Sequence, residues 1–232
     1  HTPGQWMSRF ERYLAEIVSG SIDGIVTTFA VVAGAAGAEL SVNIVLILGM
    51  AKLLADGLSM SIGSYLSKKS ERDNYNKHLQ IEKWEIDNVP ETERKEIEDI
   101  YRAKGFEGAE LEMVVNKITT NKQVWVDTMM KEELGLFLEK KSPLKAGLST
   151  FVSFITAGSI PLVTYLFAYW NGVGINAFLF SCIVTALTFT LVGYIKTYVT
   201  KISLLRSVTE TLALGAAAAS VAFVVGDVLE RL

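Results

Sequence analysis

Apolar residues run almost unbroken through five stretches of the chain, 17–37, 42–66, 146–169, 175–198 and 204–229, while charged and apolar residues interleave at helical spacing between the second and the third. A bilayer core about 30 Å thick needs about 20 apolar helical residues to cross it. Each of the five stretches therefore predicts a membrane-spanning helix, and the pattern as a whole predicts an all-α integral membrane protein. Residues 1–66 would hold an N-terminal segment and the first two spans, 67–142 a polar helical insert, and 143–232 three more spans. The first two spans should form a tight hairpin through Ala38 to Asn43. Gly, Ala, Ser and Thr recur inside the spans, as small residues do where helices approach closely without a hydrophobic drive to associate.

Within the insert the pattern changes to that of amphipathic helices. One is expected from Ser70 to Ile86 and ends at Asn88-Val89-Pro90; a second runs from Glu91 to Ala103 and is broken at Gly105. A third region extends from Gly108 to Leu138, with an interruption around Thr119 to Asn121. Pro143 marks the return to the membrane, and no stretch of useful length alternates as a strand does.

Charge sharpens this picture. Of 232 residues with formal net charge −3, the only charged ones from Ile17 to Leu66 are Asp23, Glu39, Lys52 and Asp56, and from Ala146 to Gly226 only Lys196, Lys201, Arg206 and Glu210. Such segregation excludes a soluble nucleic-acid binder and a disordered, collagenous or disulfide-rich chain. Arg9 and Arg12, Lys68 and Lys69, Lys141 and Lys145, and Lys196, Lys201 and Arg206 all fall in connections that would share one side, whereas Ala38 to Asn43 and Trp170 to Gly174 carry no Lys or Arg. The positive-inside rule then puts the N-terminus and the insert in the cytosol and the C-terminus on the far side. The sequence begins at His1, and an amphipathic stretch from Trp6 to Glu16, rather than a secretory signal pattern, precedes the first apolar run. The single cysteine, Cys182, has no partner in the chain for a disulfide and is expected as a small buried residue.

Candidate chemistry lies in two places. In the insert, Glu82 and Glu85 are three residues apart, as are Glu93 and Glu96, and Glu133 follows Met129 and Met130 at four and three residues. Each pair projects from one face of its helix. Paired carboxylates suit hard or borderline divalent cations, and neighbouring thioethers add preference for softer transition metals. Taken alone, a Glu-x-x-Glu is more often an ordinary solvated face than a site, and the two methionines are more often core packing than ligands. In the membrane, an ionisable residue is a functional candidate by default, since burying it costs about 2.5 to 3.5 kcal/mol on insertion scales. Asp23 lies in the first span; Lys52, Asp56 and Met60 recur every four residues in the second and share a helix face. With Ser19 and Thr27 one turn either side of Asp23, they form a polar stripe suited to a cation path. Lys52 could instead neutralise Asp23 or Asp56 structurally. Glu210, one turn beyond Arg206, is a weaker candidate, and His78 is expected as a surface helix residue.

Several activities lack their residues. The insert has no cysteine for a Cys/His zinc site, and Glu-x-x-His, the mark of ferritin-like di-iron oxidases, is absent. No phosphate loop, nucleophile elbow or HExxH occurs. An enzyme is therefore the weaker expectation, and no permanently bound cofactor is expected.

Four motifs stand out: Asp23-Gly24-Ile25, the run Gly57 to Leu66 followed by Lys69-Ser70-Glu71, the block Trp125 to Leu138 with its Met-Met-x-x-Glu, and Gly193-Tyr194-Ile195-Lys196. Through them the chain resembles, over essentially its whole length, the vacuolar iron transporter family of plant and yeast vacuolar importers, nodulin-like members and bacterial relatives. The resemblance implies a homodimer of five-span subunits in the lipid bilayer of a vacuole or a bacterial inner membrane, exporting cytosolic Fe²⁺, and often Mn²⁺ or other divalent ions, by proton antiport. It implies metal collection by Glu82, Glu85, Glu93, Glu96, Met129, Met130 and Glu133, and a translocation path at Asp23 and Met60 near the dimer interface. One position departs from the family pattern: Lys52 stands where an acidic residue is expected, with Asp56 one turn on able to restore the carboxylate. A non-transporting membrane protein that binds or senses metal through the insert is the alternative this lysine suggests.

Overall fold

A computed structural model describes residues 12–139, 141–171, 176–200 and 203–232. The described residues are helical throughout, with no strand: α1 (Leu14–Gly37), α2 (Val42–Asn88), α3 (Pro90–Ala103), α4 (Gly108–Thr119), α5 (Lys122–Glu132), α6 (Pro143–Gly158), α7 (Ile160–Asn171), α8 (Ala177–Thr200) and α9 (Leu204–Glu230). Arg9, the connection at 172–175 and Lys201, which enter the loop-charge argument, lie outside the described residues, as does the start of the Trp6 to Glu16 stretch.

The chain divides into two compact units, one of residues up to Leu66 and from Lys141 onward, the other Ser67–Lys140. In the first unit α1 is the central element, packed along α6 on one side and α9 on another. Backbone approaches backbone at these crossings. A methyl group on Gly24 would meet the Phe154 carbonyl oxygen at 2.5 Å, and one on Gly226 would meet that of Gly34 at 2.1 Å, so only glycine fits at either place. Phe29, Val32, Ala33, Val45, Leu53, Phe154 and Leu162 form the buried cluster around these contacts. The α1–α2 hairpin closes as expected, with Leu40 donating its N–H to Ala35 O at 2.9 Å and Glu39 in the left-handed region at φ 49°.

The third apolar stretch is where the structure departs from a single straight span. It forms two helices, α6 and α7, bent by 41° at their junction. Pro161 explains the break: it has no N–H to donate, and its ring clashes with the carbonyl four residues back. The chain re-forms hydrogen bonds from Leu162 N and Val163 N to Ser159 O, both 3.0 Å, while Ser181 on α8 donates its hydroxyl to Pro161 O at 3.1 Å. Four helices among the described residues are long and apolar enough to cross a membrane, or five when the bent pair counts as one.

The second unit comprises the C-terminal part of α2 with α3, α4 and α5. Its core holds Ile86, Ile97, Leu111, Val115, Ile118, Trp125, Val126, Met129 and Met130. No proline or glycine separates the second apolar run from the first insert helix, and α2 is one 47-residue helix. The expected interruption near Thr119 to Asn121 is present, because the Asn121 side chain accepts from Gln123 N and Val124 N and starts α5. Helix does not reach Leu138. It stops at Glu132, and Gly135, at φ 62°, turns the chain so that Leu136 N bonds back to Met130 O at 2.7 Å. Lys141 and Ser142, which the sequence pattern assigns to the end of the insert, belong to the first unit. Lys141 pairs with Glu16 at 2.9 Å, and Ser142 N donates to the Tyr13 hydroxyl at 3.0 Å.

Candidate metal site and membrane charges

In the insert the helical spacing of the glutamates becomes a convergent group. Glu82 and Glu85 project from consecutive turns of α2, and Glu93 lies in the first turn of α3, which begins at Pro90 immediately after the break. The three residues place carboxylate oxygens within 4.8 Å of one another. Glu82 and Glu93 are 3 % and 4 % exposed, and in each the Oε2 atom finds no hydrogen-bond partner among the described residues. Burial raises both carboxyls, helped by the charges of the neighbouring glutamates, to about 7. Glu133, just past the end of α5, is raised for the same reasons, burial first and then the charges of Glu96 and Glu85. Five carboxylates thus act on one another within a small volume.

Two buried carboxylate oxygens without donors are costly in a metal-free protein. A divalent cation would offset both the missing hydrogen bonds and the mutual repulsion. The donor set, oxygen-rich with sulfur in the same domain, suits Fe²⁺ or Mn²⁺ better than a soft thiolate metal. Met129 and Met130, however, are 0 % and 1 % exposed and sit in the hydrophobic core of the insert.

In the first unit the charged residues of α1 and α2 also meet. Lys52 Nζ lies 2.6 Å from Asp56 Oδ2, so of the two partners open to it in the sequence it takes Asp56. Asp23 on α1 is within electrostatic reach of both. Met60 is half-buried against the central apolar cluster. The hydroxyl stripe expected from the sequence is not formed: Ser19 is exposed, and Thr27 donates its hydroxyl to the Asp23 carbonyl oxygen at 2.8 Å, spending it on its own helix. Glu210 accepts from Arg206 at 3.0 Å, with Lys196 at 3.7 Å. His78 is half-buried on α2.

One carboxylate escapes the sequence pattern. Glu16 is buried and paired with Lys141, and it precedes Asp23 by seven residues, two turns along the same face of α1. Its spacing from Asp23 is the available signal, obscured because Glu16 belongs to the mixed-charge stretch before the first apolar run.

Comparison with known proteins finds a family match along nearly the whole chain. The model of the VIT family matches residues 14–227, which takes in α1 to α8 in full and nearly all of α9. The chain belongs to the VIT family. It is 38 % identical over 219 residues to vacuolar iron transporter 1 of Arabidopsis thaliana, covering 93 % of this chain and 86 % of that protein. It is 37 % identical over 225 residues to the vacuolar iron transporter of Toxoplasma gondii, covering 94 % and 74 %. With the vacuolar iron transporter of Centaurea cyanus it shares 38 % identity over 211 residues, covering 90 % and 84 %. Membership of the VIT family makes the chain a membrane protein of a transporter family, in keeping with its apolar helices.

Proposed function

We propose that this VIT-family chain exports Fe²⁺, and also Mn²⁺ or similar divalent ions, from the cytosol in exchange for protons, as a homodimer whose insert and N-terminus are cytosolic. The membrane would be vacuolar or a bacterial inner membrane. The observation that carries the proposal is the convergent group of buried Glu82 and Glu93 with half-buried Glu85, with orphaned oxygens on two of the three, in a chain whose relatives are named vacuolar iron transporters. In this scheme Glu96, Glu133, Met129 and Met130 complete the collecting site, and Asp23, Lys52, Asp56 and Met60 line the path.

Two features of the residues fit cation–proton exchange. Carboxyls raised to about 7 by burial and by one another release protons when a divalent ion binds, so the insert takes up metal most readily when the cytosol is neutral or alkaline. In the membrane, Asp23 offers a carboxylate for which a metal ion and a proton would compete, and it supplies the exchange step. Asp23→Asn in proteoliposomes loaded with an Fe²⁺-quenched dye should abolish uptake while the detergent-solubilised protein keeps its dimeric mass. Undiminished uptake would refute the assignment of Asp23.

The second reading, a metal-binding or sensing protein that does not transport, is favoured by one observation. Lys52 holds a cation 2.6 Å from Asp56, beside the proposed path. A charge there repels Fe²⁺ unless the lysine moves or loses its proton.

A further inference from the structure

Just past α5 the insert presents two large apolar side chains outward. Phe137 and Leu138 are 70 % and 54 % exposed, and the segment that carries them is pinned on both sides. Before them, Leu134 and Leu136 pack against the core of the insert, and Leu136 N donates to Met130 O at 2.7 Å. After them, the Glu139 carboxylate accepts from Lys68 Nζ at 2.9 Å. The pair is thus held away from the core of its own unit, an arrangement that water disfavours and an apolar phase favours.

The pin at Glu139 fixes where along α2 the pair lies. Lys68 comes two residues after Leu66, the end of the apolar run of α2, which at 1.5 Å per residue is about 3 Å along the helix. The polar interfacial layer outside each face of the hydrocarbon core is about 5–7 Å thick. With the apolar run of α2 in the core, Lys68 falls in that layer, and its ion pair brings Glu139 and the adjoining Leu138 to the same depth. The covalent path agrees, because Leu138 is five residues from Pro143, where α6 starts, a reach of at most about 18 Å. The ends of both helices are basic as well: Lys69 follows Lys68 on α2 and Lys145 stands in the first turn of α6, both exposed. Amines at this depth attract anionic headgroups. Trp84 provides the contrast. It is also exposed, at 61 %, but it lies eighteen residues past Leu66, about 27 Å along α2 and far outside the layer.

We infer that Phe137 and Leu138 insert into the bilayer interface on the insert's side of the membrane. Together with the Lys68–Glu139 pair they moor the segment after Gly135, the same short segment that follows Glu133, to the lipid surface. The inference rests on α2 crossing the membrane and is independent of transport and of metal binding.

The test attaches a nitroxide to single cysteines in the full chain carrying Cys182→Ser, reconstituted in nanodiscs of phosphatidylcholine and phosphatidylglycerol. Electron paramagnetic resonance then compares collisions with oxygen, which concentrates in the bilayer, and with a neutral nickel chelate, which stays in water. The oxygen-to-nickel ratio at Phe137→Cys and, independently, at Leu138→Cys should exceed that at Trp84→Cys about threefold or more. All three positions are exposed, so each labelled protein should melt in detergent as the Cys182→Ser parent does. A ratio at both 137 and 138 no higher than at 84 would overturn the inference. Few collisions with either reagent at 137 and 138 would overturn it as well, since protein, a second copy of the chain included, would then cover the pair.

Discussion

Among individual residues, the paired glutamates are legible as faces of helices, because a three-residue spacing is a local property. What the spacing could not show is that α2 and α3 turn those faces toward each other, or that burial leaves oxygens of Glu82 and Glu93 without donors. Nor does it decide Met129 and Met130, whose place in the core depends on how α5 packs. A carboxyl raised on folding keeps its proton where the unfolded chain has released it, so the metal-free protein loses stability as pH climbs from 4.5 to about 7. Glu82→Gln should therefore raise the Tm of the metal-free protein at pH 8 by about 2–4 °C. The same substitution should weaken Mn²⁺ binding about tenfold or more by calorimetry. Wild-type affinity should strengthen between about pH 6 and 8, with proton release. Replacing both methionines by leucine conserves volume and should cost less than about 1.5 kcal/mol at each site. If these residues also supply sulfur ligands, Fe²⁺ binding falls in that variant while Mg²⁺ binding does not; equal loss for both ions would assign them to packing alone.

At the scale of elements, long apolar or amphipathic runs reveal nearly every helix, since periodicity and hydropathy are strong over about 12 or more residues. Breaks are harder to place. Asn88-Val89-Pro90 is legible because the proline closely follows the turn formers Asp87 and Asn88 in a polar stretch, but Pro161 sits inside an apolar run whose hydropathy masks it, and with it the bend between α6 and α7. The end of α5 depends on Gly135, three residues beyond the helix, and on a backbone bond from Leu136 to Met130 that no local pattern announces. Close packing of α1 on α6 rests on Gly24, which the sequence marks only as one small residue among many. Gly24→Val places a branched side chain against the Phe154 carbonyl and should destabilise the fold by about 1–3 kcal/mol, read as a lower Tm in detergent. Ser21 on the same helix is half-buried, and Ser21→Ala removes only a hydroxyl, so it should change Tm by less than about 2 °C.

For the whole molecule, charge segregation exposes the membrane character and the division into an apolar and a polar unit, and the resemblance supplies the rest of the functional reading. The VIT-family match spans residues 14–227, and the ion exchange proposed for the chain turns on the charges of its first two spans. Lys52 provides its sharpest variant. If the lysine impedes the cation path, Lys52→Glu raises Fe²⁺ flux; if the Lys52–Asp56 pair is a working part of the exchange, the same change abolishes it. The decisive measurement follows Fe²⁺ and protons together, in proteoliposomes carrying the unmodified chain, a pH-sensitive dye inside and an imposed proton gradient. Fe²⁺ entering as protons leave, at a rate that scales with the gradient and vanishes with Asp23→Asn, is the result expected. Metal binding by the insert with no flux of either ion would contradict transport and establish the non-transporting alternative.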